Sequence, residues 1–107
     1  MEKKVFDLVT DYIGKMVVAT DVYKIPWSVE FGQLGYNNSK VIVFRQIVKR
    51  LDCGIVDDLM GTGMSEMDVR KVLKEYNEEL FNDYNVNVIM DNWKNVLEDN
   101  TKFQNGW

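Results

Sequence analysis

Residues 65–84, SEMDVRKVLKEYNEELFNDY, organise the reading of the whole chain. Ser65 and Asp68 have the spacing of a capping box, in which each residue satisfies a backbone donor of the other. Val69, Val72, Leu73, Tyr76, Leu80 and Phe81 then recur every three or four positions, the stripe of an amphipathic helix facing a core. The spacing predicts one helix from Ser65 to about Tyr84. Beyond it, Val86 to Met90 reads as a brief strand, and Asp91 as the cap of a last helix carrying Trp93, Val96 and Leu97. Residues 100–107 read as a frayed tail.

Working back from Ser65, the stretch Gly61-Thr62-Gly63 reads as a flexible connection. Ser39 is placed to cap a helix from Lys40 to about Leu51, with Val41, Phe44, Val48 and Leu51 on one face and Ile47 beside them. Ser28 can cap a short helix reaching Leu34, closed by Gly35. Residues 21–27 should be irregular, because Pro26 biases Ile25 away from the helical region. Residues 2–13 form another stripe through Val5, Leu8, Val9, Tyr12 and Ile13, which Gly14 is placed to end. Residues 16–19 suit a strand or a short connection equally. No repeat or linker divides the sequence. The expected fold is mainly α: a single compact domain over residues 1–107, a small bundle of four to five helices with room for one minor β-hairpin.

The 107 residues include 13 Lys+Arg, 17 Asp+Glu, no His, one Cys and one Pro, for a net charge of −4. Hydrophobic residues make up 46%, an ordinary globular share. A lone Cys53 leaves no disulfide framework within the chain and fits a reducing cytosol. Asp7 and Asp11 interrupt any signal-peptide core after Lys3 and Lys4, and no run approaches the roughly 20 apolar residues of a spanning helix. The expectation is a cytoplasmic protein with no membrane partner.

The missing His removes the commonest proton-transfer catalyst and the commonest transition-metal ligand together. Cys53 lies between Asp52 and Gly54, just past the expected end of the Lys40 helix. Neighbouring negative charge raises a thiol's pKa, which opposes activation as a nucleophile. Asp57–Asp58 and Glu78–Glu79 are adjacent pairs, and adjacent helical residues do not face each other. Asp83, Asn85, Asn87 and Asp91 imitate a calcium loop, but Val88 stands where the turn needs Gly and Lys94 where it needs a bidentate Glu. Gly61-Thr62-Gly63 lacks the strand, third glycine and Lys of a nucleotide loop. No catalytic residue, metal ligand or cofactor is expected.

Residues 27–46 resemble a helix-turn-helix unit through Leu34-Gly35-Tyr36 at the turn and Val41 and Phe44 at buried recognition-helix spacing. The resemblance implies a DNA-binding regulator using Asn37, Asn38, Lys40, Arg45, Lys49 and Arg50. Residues 24–50 carry five basic side chains against one acidic, a net of +4. Phe31 departs from the pattern, which wants a small side chain there. Ile42 and Val43 depart further, because they occupy groove-facing positions where polar base readers belong. A helix apolar on so many sides is expected to be buried.

Residues 51–107 have twelve acidic side chains against five basic, a net of −7. Glu66, Asp68, Glu75, Glu78, Glu79 and Asp83 lie off the apolar stripe of the 65–84 segment. Such a face keeps a protein soluble, and it also suits docking on a basic surface such as a nucleic-acid channel. Trp27, Trp93, Tyr23, Tyr36, Phe103 and Trp107 fall outside the clearest stripes, and Trp and Tyr are frequent interface anchors. In size, acidity and composition the chain is similar to small accessory proteins of phages and other mobile elements. That similarity implies a non-enzymatic inhibitor of a host or defence protein, anti-CRISPR-like, acting in the host cytoplasm. Its expected contact residues are Glu75, Glu78, Glu79, Asp83, Trp27, Trp93 and Trp107. DNA is the alternative partner, and a self-associating structural subunit, such as a homodimer, the third class.

Overall fold

The computed structural model describes the backbone of residues 1–26 and 39–105, and the side chains of 1–26 and 41–96. The described chain is mainly α: α1 (Lys3–Tyr23), α2 (Ser39–Met60), α3 (Glu66–Tyr76) and α4 (Asp83–Asn105). No strand occurs among the described residues, and the 86–90 segment expected to be extended lies inside α4. The expected helix at 28–34 and most of the helix-turn-helix resemblance lie outside the described residues.

α1 buries Val5, Val9, Tyr12, Met16 and Ala19, alternating steps of four and three along one stripe. Gly14 does not end the helix as expected. Met16 and Ala19 extend the buried stripe beyond it, and packing of that face outweighs the local weakness of one glycine. The helix stops at Lys24, a left-handed residue (φ 55°) whose N–H bonds to the Thr20 carbonyl. Ile25 then turns inward and is buried.

α2 runs two turns past the expected Leu51 because Ile55, Val56 and Leu59 continue the face begun by Val41, Phe44 and Val48. Cys53 is therefore inside the helix, not past its end. The 61–63 connection is a hydrogen-bonded turn: Gly61 N–H reaches the Asp57 carbonyl at 2.8 Å, and Gly63 N–H the Met60 carbonyl at 3.0 Å. Gly63 has φ 102°, a conformation that a side chain would strain.

The capping box at Ser65 and Asp68 is present in both directions, each bond 3.2 Å. The long helix expected from Ser65, however, is broken at Asn77. Its backbone is extended, and its side-chain oxygen accepts from the N–H groups of Glu79 and Leu80, both at 3.1 Å. Asn competes for backbone donors in this way, which favours turns over helix interiors. The helical spacing survives the break because the turn is itself one α-type loop, closed by Phe81 N–H on the Asn77 carbonyl at 2.8 Å. Asn82 then caps α4, accepting from Asn85 N–H at 2.9 Å.

α2 is the hub. It packs against α1, α3 and α4, while α1 and α4 do not pack on each other among the described residues. The molecule measures 39 × 38 × 21 Å, about two helix diameters thick. Phe44, Phe81, Met16, Leu59 and Leu73 are its largest fully buried side chains. Phe81 joins the corner to α1 and α3, with its ring 6.4 Å from those of Tyr12 and Tyr76.

Candidate interaction surfaces

Asp52 and Asp57 of α2 join helices, whereas buried Asn85 donates to the nearby Leu80 carbonyl and its Oδ1 has no hydrogen-bond partner among the described residues. Asp52 is fully buried, four residues beyond Val48 on the core stripe of α2. One of its oxygens accepts from the Tyr12 hydroxyl of α1, and the other from Asn92 Nδ2 of α4 at 2.7 Å. Pairing of this kind lets a carboxylate be buried at all. One turn along, Asp57 accepts from Trp93 Nε1 at 2.8 Å and from the Cys53 thiol at 3.6 Å. Burial, followed by the charge of Asp57, raises the Cys53 pKa, so the thiol stays protonated.

Trp93 is 8% exposed and belongs to the core. That burial and its hydrogen bond to Asp57 leave little of the side chain, expected as a contact residue, at the surface. Tyr23 is half-buried, its ring against Phe44. Trp27 and Trp107 lie outside the described residues, and the side chain of Phe103 is not described. The segment imitating a calcium loop is a helix, in which Asn85 is buried and Asn87 accepts from Arg70. Among the described residues no group of three or more acidic or thiol side chains is placed to hold a metal ion.

Two surfaces remain. The first is the α3–α4 corner, where Glu75, Glu78, Glu79 and Asp83 are all exposed. Glu75 meets the chain's amino terminus at 3.5 Å and Asp83 pairs with Lys74. Glu78 and Glu79 form no ion pair among the described residues, and they project from the turn that Asn77 pins. The corner thus holds uncompensated negative charge on an ordered backbone.

The second surface belongs to α1 and α2. Val18 and Val22 are 61% and 67% exposed, and they border a groove with Ile47 and Leu51. Ile42 and Val43, expected to be buried, are 50% and 42% exposed at the start of α2. Helix phase explains this: Val41 and Phe44 point to the core, and the two residues between them cannot. Of the basic side chains read as DNA contacts, Lys49 and Arg50 are exposed and Arg45 is half-exposed. Arg45 and Lys49 are four apart and share a flank, whereas Arg50 turns toward the groove beside α1. Lys40 lies in the first turn of α2 with its side chain not described, and Asn37 and Asn38 lie outside the described residues.

Compared with known proteins, the chain matches no family model, no curated protein and no solved structure. No helix among the described residues is long and apolar enough to cross a membrane.

Proposed function

We propose that this chain is a non-enzymatic binding protein that acts by occupying a basic surface on a macromolecular partner. Its most concrete form is a phage or mobile-element inhibitor of a nucleic-acid-binding host or defence protein, working in the cytoplasm of that host. The α3–α4 corner carries the reading: Glu78 and Glu79 lack ion-pair partners among the described residues and stand on a turn fixed by Asn77. Charges held on an ordered turn lose little freedom when they bind, and they steer association with a surface of opposite sign. Acidic side chains in a nucleic-acid channel take the places of phosphates, so the interaction should weaken with salt. Support also comes from Asp52, Asp57 and Trp93, whose hydrogen bonds join helices.

The test is capture of the partner from a host lysate, followed by affinity measurement with the Glu75→Lys, Glu78→Lys, Glu79→Lys triple variant. Affinity should fall roughly a hundredfold, as expected for several opposed charges across one contact. Added nucleic acid should displace the wild-type chain. An unchanged affinity would sink the reading. So would a salt-dependent shift of duplex DNA by the chain alone that Arg45→Glu with Lys49→Glu abolishes. That second outcome would install the DNA-regulator reading, which draws on the exposed Lys49 and Arg50. Exposed Ile42 and Val43, where polar base readers belong, weigh against it.

A further inference from the structure

A recess of about 300 Å³ opens where the start of α1 meets α3 and the 61–63 turn. α3 contributes Asp68, Val72 and Glu75, spaced four and three apart and so on one face. Val5 and Met64 add apolar wall, and Glu2 adds a third carboxylate. Among the described residues no Lys or Arg lines the recess, so its charged side chains are all acidic. A cleft lined by one sign of charge over apolar walls concentrates the field and draws in ions of the opposite sign.

One cation already stands there. The Met1 ammonium, which also borders the recess, lies 3.5 Å from Glu75, so this face accommodates an ammonium group. Glu2 and Asp68 form no ion pair among the described residues. Asp68 spends one oxygen on the Ser65 N–H, and Glu2 makes no side-chain bond to the start of α1. We propose that Glu2 and Asp68 receive the ammonium of a lysine side chain carried by the partner, with its stem lying along Val5, Met64 and Val72. This rests on the reading that the chain occupies a basic surface, and it names a side chain that surface must contribute.

Charge selects this occupant over others. An acidic group would meet like charge, and an apolar one would bury Glu2 and Asp68 unpaired. Lysine has an apolar stem and a terminal charge, which matches apolar walls beside carboxylates. An ammonium is a point charge that accepts oxygens from separate directions, as Glu2 before α1 and Asp68 on α3 supply them. A guanidinium instead favours one carboxylate held as a planar fork. The walls are set before anything binds: the capping box holds Asp68, and Gly63 N–H is bonded to the Met60 carbonyl at 3.0 Å. Glu75 belongs both to this recess and to the exposed acidic corner, so a surface with several basic side chains meets the two together.

Titration of the full chain with octalysine, followed in assigned nitrogen–proton correlation spectra, tests this. The amides of Gly63, Met64 and Val72 should move with octalysine, and no more than half as far with octaarginine. Glu2 is exposed and makes neither an ion pair nor a capping bond, so Glu2→Lys leaves folding intact. That variant should bind octalysine about fivefold more weakly and lose the Gly63 and Met64 shifts, while the Glu78 and Glu79 amides still respond. Shifts confined to Glu78, Glu79 and Asp83, or equal shifts with octaarginine, overturn the lysine site and leave the basic-surface reading standing. A chain that binds neither peptide overturns both. If a captured partner binds the Glu75→Lys, Glu78→Lys, Glu79→Lys variant unchanged while octalysine still moves Gly63 and Met64 of the wild type, the basic-surface reading falls and the lysine site stands.

Discussion

The α3–α4 corner and the α1–α2 groove are made on opposite principles. At the corner the backbone changes direction, and each change is fixed by a polar side chain: Asn77 on Glu79 and Leu80, Asn82 on Asn85. Beneath it Phe81 is fully buried. The groove has neither turns nor caps along its length. Two uninterrupted helices lie side by side, with apolar residues at its lip and the Asp11–Lys15 pair as its only charged lining among the described residues. One region is specified by hydrogen bonds and presents charge, while the other is specified by packing and presents apolar surface. One set of packed helices can therefore offer two unlike faces.

Substitutions can break this contrast or sharpen it. The largest effect should come from Phe81→Ala, which empties the space under the corner; unfolding by urea should show a loss of about 3–5 kcal/mol. A loss below about 1 kcal/mol would mean that the polar bonds alone hold the corner. Asn82→Ala removes only the α4 cap and should cost about 1 kcal/mol by the same measurement, with Phe81 still in place. Gly14→Ala acts in the other direction. With nothing near its Cβ and a helical backbone already in place, it should stabilise the dilute chain by about 0.5–1 kcal/mol in thermal melts. A destabilised Gly14→Ala chain would show that the groove is more tightly filled than its open lip implies.

The fold class and about half of the core positions are legible in the sequence, because burial follows a 3.6-residue period whatever the connections do. Val5, Val9, Tyr12, Val41, Phe44, Val48, Val69 and Leu73 are the clearest instances. Boundaries were harder, for reasons specific to each. Gly14 imitates a helix stop, yet the stripe resumes at Met16. The 77–81 turn keeps the helical period across a real break, and only the two asparagines betray it. Val86, Val88 and Ile89 suggest a strand by composition, although Val86, Ile89, Met90 and Trp93 are spaced, and buried, as one helix face.

The candidate surfaces divide in the same way. Glu75, Glu78, Glu79 and Asp83 are exposed as expected, because off-stripe charge stays in water whether or not the helix is continuous. The burial of Trp93 was not legible, because its indole N–H finds a partner, Asp57, that is remote in sequence. Asp52 escaped notice for a related reason. On the sequence it is one more acidic residue beside a cysteine, although its position four after Val48 is a usable signal.

That carboxylate has a mechanical consequence. α1 and α4 are separated by α2, yet Tyr12 and Asn92 hold opposite oxygens of the one Asp52 group. A carboxylate is planar and rigid, so the directions of the two hydrogen bonds are fixed relative to each other. The two flanks of the slab are thus tied through one shared carboxylate, in addition to their packing on α2 and α3.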